Sequence, residues 1–277
     1  MEKLQDALNR ARAERNQIKA QASAAEADGP TEQASLWDAL TEAKPDPAHM
    51  NKRHVVSHSY SNAASAFDIL RTKVVLQMRK HGWRRLAITS ATPVCGKTTV
   101  SCNLAIGMSR QTEIRSVVMD LDLRNPSMAK MLGLTPPRNI TGLLEGSVPF
   151  AEQAMRVQDS VAISMAKTST PDPTRYLLGH STEGVLQGIE ADYEPDLMIF
   201  DTAPIMVSDD TRAFLAQVDC AMIVACAERT TISQIDACER EIAEHTNVMG
   251  VVLNQARFLD DDQGYYGYGY GYGYGAS

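Results

Sequence analysis

The feature that most constrains the fold is an apolar segment, residues 86–90, that runs into Gly96-Lys97-Thr98 and then into a helix. The segment LAITS predicts a short buried strand. A Gly-Lys-Thr triplet after such a strand lies at a helix N-terminus, where backbone N–H groups and the helix dipole favour phosphate. The match to GxxxxGK[ST] is incomplete, because Ala91 replaces the first glycine. We therefore expect a phosphate-binding loop in which Lys97 reaches the β- and γ-phosphates and Thr98 faces Mg²⁺.

Strands and helices alternate through the rest of the main body. Further apolar strands are expected at residues 116–121, 161–165, 197–201, 220–225 and 249–254. A helix over residues 63–80 carries Phe67, Leu70, Val74 and Met78 on one face. Apolar strands separated by helices indicate an α/β fold with a mostly parallel sheet flanked by helices.

Composition excludes several classes of protein. With 277 residues, 44% hydrophobic and 22% charged, the chain can bury a substantial core. The longest aliphatic runs have only strand length and the N-terminal residues lack an apolar signal region, so a cytoplasmic location is expected. A formal net charge of -7 argues against a nucleic-acid partner. The five cysteines form no CxxC motif and are expected to be reduced thiols.

Acidic residues follow two of the predicted strands. Asp120, Asp122 and Arg124 lie at the end of the strand over residues 116–121, and Asp201 ends the strand over residues 197–201. Ligands of open α/β sheets bind beyond the carboxyl ends of the strands. Two carboxylates spaced by two residues point to one side of an extended segment and can bind one metal ion or one proton. Together with the loop they predict a magnesium-nucleotide site, the alternative being a solvated strand end.

The two ends of the chain differ from the main body, which is predicted over residues 51–258. Residues 1–50 are expected to form an N-terminal arm, with an amphipathic helix over residues 2–21 and a linker over residues 28–47. Residues 259–277 contain six of the nine tyrosines in a glycine-rich alternation. Such a composition cannot form a packed core, so a disordered tail is predicted.

Three motifs together resemble those of a known family. The loop, the DLDLR segment and the FDTAP segment look like the Walker A, Walker A′ and Walker B motifs of bacterial tyrosine kinases, the autokinases of capsule and exopolysaccharide pathways. The resemblance extends over about residues 63–258, and the tyrosine cluster carries it to the end of the printed sequence. The residues that match the phosphate loop of that family are Ser90, Pro93, Gly96, Lys97 and Thr98.

The resemblance implies a P-loop NTPase core of the deviant-Walker, MinD/ParA-like type, with ATP and Mg²⁺ as cofactors. It implies tyrosine autophosphorylation in which Asp120 accepts the tyrosine proton, while Arg124 either clamps a phosphate or pairs with Asp122. The implied catalytic residues are Lys97, Asp120, Asp122 and Arg124. The implied metal ligands are Thr98, Asp122 and Asp201. The implied nucleotide-binding residues are Pro93, Val94, Cys95, Gly96, Lys97, Thr98, Thr99 and Asn254. The implied phosphorylation sites are Tyr265, Tyr266, Tyr268, Tyr270, Tyr272 and Tyr274.

The family also suggests partners. A transmembrane polysaccharide co-polymerase on a separate chain is the expected activator, which places the protein at the inner membrane. A second copy of the chain is the expected partner for phosphorylation in trans. The assembly motif Glu-x-x-Arg-x-x-Arg of the family corresponds here to Ser65, Asp68 and Arg71. The residues before Gly96 also depart from the family, with Val94 and Cys95 replacing glycine and an acid; Cys95 is either an oxidisable thiol or a small uncharged filler.

Two other functions fit the same motifs. One is a ParA- or MinD-like ATPase switch, although Thr92 occupies the position of the signature lysine of those proteins. The other is a nucleotide-binding adaptor that tethers partners without tyrosine kinase activity.

Overall fold

The computed structural model describes residues 32–256, which form eight strands and eleven helices. The strands are β1 Thr41–Ala43, β2 Arg85–Thr89, β3 Ser116–Asp120, β4 Met155–Val157, β5 Val161–Ser164, β6 Leu197–Asp201, β7 Cys220–Cys226 and β8 Asn247–Asn254. The helices are α1 Glu32–Ala39, α2 Pro47–Lys52, α3 Asn62–His81, α4 Lys97–Ser109, α5 Met128–Leu132, α6 Ile140–Leu144, α7 Phe150–Gln153, α8 Thr174–Leu177, α9 His180–Tyr193, α10 Asp210–Leu215 and α11 Ile232–Ala243.

The strands form one sheet in the order β1-β4-β5-β3-β6-β2-β7-β8. Every neighbouring pair is parallel except β4 with β5, which is antiparallel. Strands β3, β5, β6 and β7 are buried along their whole length, as expected for parallel strands covered on both faces. The predicted α/β fold with a mostly parallel sheet is therefore confirmed.

A hydrophobic core lies on each face of the sheet. Successive side chains of a strand point to opposite faces, so Ala87 of β2 packs in one core while Leu86 and Ile88 pack in the other. Helix α4 is buried from Val100 to Ser109 and fills the second core. This burial fixes the N-terminus of α4 against the carboxyl ends of the central strands.

Helix α3 begins and ends one residue outside the range predicted from the sequence. The Ser61 hydroxyl accepts a hydrogen bond from the Ala64 N–H at 3.2 Å and caps the N-terminus. Gly82, in the left-handed region at φ 69°, ends the helix. Val74 and Met78 are buried, so the predicted apolar face is confirmed.

The linker predicted over residues 28–47 is wrong for the part that the structure describes. Residues 32–52 form α1, β1 and α2, and β1 pairs with β4 in the main sheet. Trp37 is 2% exposed, and its Nε1 donates a hydrogen bond to the Tyr193 carbonyl oxygen at 2.8 Å. The indole ring of Trp37 buries a large apolar area and so anchors this segment to the core. The segment is too short and too polar to show a periodic pattern of hydrophobic residues.

The remaining predictions for the ends lie outside the described residues. These are the helix over residues 2–21 and the disordered tyrosine-rich tail over residues 259–277. Among the helices of residues 32–256, none has the length and apolar composition needed to cross a membrane. All five cysteines are buried free thiols, as expected from their spacing.

Candidate nucleotide and metal site

The predicted phosphate loop connects β2 to α4. Gly96 precedes α4 at φ 88°, in the left-handed region that favours glycine. A Cβ atom at this position would lie 2.2 Å from Asn254 Nδ2. Both the backbone conformation and the space around it therefore require glycine, and the first N–H groups of α4 are available to a phosphate.

Two side chains at the carboxyl end of β8, from its last residue and the residue after it, hold the loop in place. Asn254 Nδ2 donates to the Cys95 carbonyl oxygen at 2.9 Å, and Gln255 Nε2 donates to the Val94 carbonyl oxygen at 3.1 Å. Val94 has φ 64°, which is rare for a β-branched residue. Asn254 was predicted to bind the nucleotide, and in the structure its side-chain amide supports the loop backbone.

A cavity of about 550 Å³ opens between the loop, the segment after β3 and the segment after β6. Its wall includes most of the predicted loop residues together with Asp122 and Arg124. Cys95, Asp120, Asp201 and Asn254 are not in the wall. The wall also contains Asn125, Ser127 and Gln255, which sequence reasoning missed.

Three predicted carboxylates lie close together at the carboxyl ends of the central strands, beside the cavity. Asp120 and Asp201 are register partners at the ends of β3 and β6, and both are fully buried. Asp122 lies in the wall, with its Oδ2 atom 3.7 Å from Lys97 Nζ. The structure thus brings together the Lys97, Asp120, Asp122 and Asp201 side chains named from the sequence.

The hydrogen bonds of the buried carboxylates leave two oxygens free. Ser101 Oγ donates to Asp201 Oδ1 at 3.0 Å, and the Met128 N–H donates to Asp120 Oδ2 at 3.1 Å. Within residues 32–256, Asp120 Oδ1 and Asp201 Oδ2 have no hydrogen-bond partner. Buried polar atoms are normally paired, and hard oxygen donors suit Mg²⁺. The residues present therefore fit a magnesium ion.

Burial dominates the electrostatics of this end of the cavity. It raises the pKa of Asp120 well above the ordinary value, and the negative charge of Asp201 raises that pKa further. Burial also raises the pKa of Asp201 to about 6 and raises the pKa of Asp122, while the positive charge of Lys97 opposes both shifts. Each carboxylate is costly in its charged form, so a bound cation would relieve that cost.

The Arg124 side chain is held by a different partner from the one considered in the sequence analysis. Its Nε and Nη2 atoms donate to the two carboxylate oxygens of Asp210 at 2.6 and 3.0 Å, and its Nη1 donates to the Pro171 carbonyl oxygen at 3.1 Å. Asp210 is 1% exposed. Of the two roles considered for Arg124, the pairing with Asp122 is therefore wrong, and the ion pair with Asp210 holds Arg124 in the cavity wall, where a contact with a phosphate stays a prediction.

Cys95 lies beneath the loop surface. Its Sγ donates to the Thr92 carbonyl oxygen at 3.2 Å, and the residue is 1% exposed. Burial acts to raise the pKa of the thiol, but hydrogen bonds with Thr92 and Thr230 outweigh it, and the pKa is lowered. The small buried side chain fills the space under the loop.

Ser101, like the wall residues Asn125, Ser127 and Gln255, is a polar group that the sequence analysis missed. Ser101 follows Lys97 by four residues on α4 and shares its face, so helical spacing could have indicated it. Ser127 Oγ donates to Thr98 Oγ1 at 3.0 Å. Neither Ser127 nor Gln255 lies in a motif, so only the folded chain identifies them.

Comparisons with known proteins agree with this architecture. AmsA of Erwinia amylovora is 24% identical over 225 residues, which cover 80% of this chain and 30% of AmsA. The tyrosine-protein kinase CpsD of Streptococcus pneumoniae is 26% identical over 188 residues, 66% of this chain and 80% of CpsD. The chain spans about a quarter to a third of the length of the first curated relatives. The resemblance to bacterial tyrosine kinases is confirmed by such relatives.

Solved structures share the fold. The VpsO kinase domain has a TM-score of 0.62 and 23% identity, covering 70% of this chain and 94% of that domain. Cobyrinic acid a,c-diamide synthase from Mycobacterium smegmatis, crystallised with an ATP analogue and magnesium, has a TM-score of 0.51 and 19% identity, with 62% and 74% of the two chains covered.

A match to a protein-family model assigns the chain to a family. The model described as ParA, NUBPL iron-transfer P-loop NTPase, matches residues 83–276. That range contains the phosphate loop, the three carboxylates and the strands that carry them. The chain therefore belongs to the ParA family of P-loop NTPases.

Proposed function

We propose that the protein is an ATP-dependent tyrosine autokinase that phosphorylates Tyr265, Tyr266, Tyr268, Tyr270, Tyr272 and Tyr274 and thereby regulates capsule or exopolysaccharide polymerisation and export. The observation that carries the proposal is the position of Gln255. This residue lies in the wall of the cavity, and the tyrosine cluster begins ten residues later in the sequence. The names of relatives such as CpsD support the same activity.

The residues of the loop would bind ATP through its phosphates. The N-terminus of α4 and the Lys97 ammonium would offset the charge on the β- and γ-phosphates. Thr98, Asp122 and Asp201 would hold Mg²⁺, directly or through water, and the ion would supply further charge neutralisation. The other predicted loop residues, from Pro93 to Thr99, shape the phosphate cradle.

The transfer step requires a proton acceptor for the tyrosine hydroxyl. The phenol oxygen forms a bond to the γ-phosphorus, the bond to the β–γ bridging oxygen breaks, and ADP leaves. The phenol proton passes to a carboxylate, for which Asp120 is the predicted acceptor. Asp122 faces the cavity directly, whereas Asp120 lies below its floor under the Met128 N–H. A base role for Asp120 would therefore require this buried carboxylate to become accessible to the phenol.

Asp120→Asn should separate stability from activity. The variant keeps an oxygen for the Met128 N–H but removes a buried ionisable group whose pKa is raised, so we expect a Tm several degrees higher at pH 7 in metal-free protein. Because the folded pKa of Asp120 is raised, its destabilising effect grows as the pH rises above 3.8, its ordinary pKa. The gain in Tm should therefore shrink between pH 7 and pH 5. Phosphotyrosine formation should fall more than ATP affinity.

The control for this variant is Asp236→Asn, on the exposed side of α11. It should change neither Tm nor activity. An unchanged Tm for Asp120→Asn would contradict the electrostatic description of the buried carboxylates. Equal losses of activity and ATP affinity would make Asp120 a metal ligand rather than the base.

A second copy of the chain and a membrane protein are the proposed partners. A transmembrane co-polymerase on a separate chain would recruit and activate the kinase at the inner membrane. In α3, Asp68 forms ion pairs with Arg71 and Arg110, and Arg71 Nη1 donates to the Gly107 carbonyl oxygen at 3.1 Å. These groups tie α3 to α4 within one chain, so self-association would use other groups of α3.

Phosphorylation in trans can be tested by mixing two forms of the chain. Residues 264–277 can stretch to roughly 45 Å, enough to reach a neighbouring copy. One form is Lys97→Met with its tyrosines, and the other is active with its six tail tyrosines replaced by serine. We expect phosphotyrosine on the Lys97→Met chain, read by mass spectrometry. If wild-type chains become phosphorylated but the Lys97→Met chain in the mixture does not, the reaction occurs in cis.

The decisive experiment is incubation of the purified chain with labelled ATP and Mg²⁺. Phosphotyrosine in residues 264–277 supports the kinase. The family match to ParA proteins favours an ATPase switch as the second candidate, which would hydrolyse ATP without labelling tyrosine. Binding of ATP without tyrosine labelling or ATP hydrolysis would support the nucleotide-binding adaptor.

A further inference from the structure

Helix α3 and the residues that follow it form a strongly basic segment. Residues 62–85 contain six Lys or Arg residues and one acidic residue, a net charge of +5, although the whole chain carries -7. Two of the six cations form ion pairs, Arg71 with Asp68 and Arg85 with Glu190. Among residues 32–256, the other four form none, and they are Lys73, Arg79, Lys80 and Arg84. The segment therefore presents unpaired positive charge on an acidic protein.

Exposed apolar side chains alternate with two of these cations along one side of α3. Ile69, Lys73, Leu76 and Lys80 follow one another at spacings of four, three and four residues, which places them on one side of the helix. Ile69 is 48% exposed, Leu76 is 60% exposed, and both lysines are exposed. We name these four residues the α3 face.

The needs of the helix itself explain only part of the α3 face. A cation in the last turn stabilises the C-terminal end of the helix dipole, which accounts for Lys80. This effect does not extend to Lys73, seven residues earlier. It also gives no reason for Ile69 and Leu76 to expose aliphatic surface to water. Single exposed apolar residues are common, but these two share one face with two unpaired lysines.

A tryptophan lies just beyond the end of the same helix. Gly82 ends α3, and the half-buried Trp83 follows it. The Trp83 ring stacks on the His81 ring with 4.3 Å between centroids. Tryptophan is enriched where water meets lipid, because its ring is apolar and its N–H is polar. The basic and apolar face is therefore followed by a side chain typical of membrane interfaces.

Acidic side chains offset part of the positive charge beyond the end of α3. Arg79 and Arg84 line a cavity of about 620 Å³ whose wall also contains Glu190, Glu194 and Asp196. Lys73 and Lys80 are not in that wall. The charge of these two lysines is therefore available to a partner.

Anionic lipid matches both parts of the α3 face. A phosphate backbone, as in nucleic acid, would pair with the lysines but leave Ile69 and Leu76 in water. A bilayer with acidic phospholipids offers headgroup phosphates to the lysines and an apolar layer beneath them. We propose that the α3 face binds a membrane surface that contains anionic lipid, with Ile69 and Leu76 inserted at headgroup level. The contact goes beyond the proposed function, since it needs neither ATP nor tyrosine phosphorylation.

The test is co-sedimentation of the purified full chain with lipid vesicles. We expect binding to vesicles of phosphatidylglycerol and phosphatidylcholine, weakened by added salt, and no binding to phosphatidylcholine alone. Lys73→Gln and Lys80→Gln should each weaken binding roughly five-fold through the loss of one surface charge. Leu76→Ser should weaken binding roughly five-fold as well, through the loss of apolar insertion.

Matched controls remove the same groups outside α3. Lys167→Gln removes an exposed lysine, and Leu178→Ser removes a leucine that is 64% exposed. Both controls should bind vesicles as the unsubstituted chain does. A thermal melt checks that each variant folds.

Four results would overturn the proposal. Absence of binding to anionic vesicles would exclude lipid, and binding that ignores all three α3 substitutions would place the contact in another part of the chain. Binding to duplex DNA but not to vesicles, weakened by the lysine variants and not by Leu76→Ser, would indicate a nucleic-acid partner. A changed sedimentation coefficient of Leu76→Ser without vesicles, with vesicle binding unchanged, would make the face an interface between two copies of the chain.

Discussion

Lys97→Met should reduce phosphotyrosine formation at least about a hundred-fold while leaving the fold intact, as for other preorganised groups that stabilise transition-state charge. Lys97 is buried at the N-terminus of α4, with its ammonium 3.7 Å from Asp122 Oδ2. Within the described residues, no other lysine or arginine forms an ion pair with Asp120, Asp122 or Asp201. Without it, the γ-phosphate would face the three carboxylates with less positive charge.

The measurement is quantitative mass spectrometry of tail phosphotyrosine after incubation with ATP and Mg²⁺. Circular dichroism and a thermal melt check that the variant folds. Lys167→Met, at an exposed position outside the cavity wall, is the matched control and should label at the wild-type rate. Autophosphorylation of Lys97→Met at the wild-type rate would refute the phosphate-loop assignment.

Gly96→Ala should weaken binding of Mg²⁺-ADP at least about a hundred-fold, or by about 3 kcal/mol. The added Cβ would lie 2.2 Å from Asn254 Nδ2, and the φ of 88° disfavours any side chain. The loop would have to move to relieve the clash or the backbone strain, and this loop carries the N–H groups that bind phosphate. Isothermal titration calorimetry with Mg²⁺-ADP measures the loss.

Two further variants show whether the cause is local. Gly184→Ala lies within α9 with nothing within 4 Å of the added Cβ. It should retain binding and raise stability slightly, since alanine is the better helix former by about 1 kcal/mol. Combining Gly96→Ala with Asn254→Gly removes the clash but not the φ strain, so it should recover binding only in part. Normal binding by Gly96→Ala alone would mean that nucleotide binds elsewhere.

Much of the fold could be predicted because its signals are local. The six longer strands are short apolar runs. Helices α3 and α4 each carry a cap or a periodic apolar face, and each of these signals lies within a short stretch of sequence. The positions of Asp120, Asp122 and Asp201 followed from strand ends, because parallel strands bring their carboxyl ends to one edge. Lys97 followed from its place in the loop.

Strands β1 and β4 could not be predicted in the same way. Each has three residues, too few to show a period of two, and each forms only because a neighbouring strand is present to pair with it. Burial of Trp37 against Tyr193 then joins the segment to the core across 156 residues. Because these contacts are long-range, the polar sequence of this segment predicts a linker, whereas the folded chain contains a strand and buried side chains there.

The sequence by itself determined the P-loop α/β fold and the identity of the loop lysine and the three carboxylates. Hydrophobic periodicity and motif spacing are local patterns, which can be recognised in short stretches of sequence. Tertiary structure alone decided that Arg124 pairs with Asp210 and that Asp120 lies under the Met128 N–H. It also decided that Gln255 holds Val94 from 161 residues away. Such contacts depend on how distant strands align at one sheet edge, and no local pattern encodes that alignment.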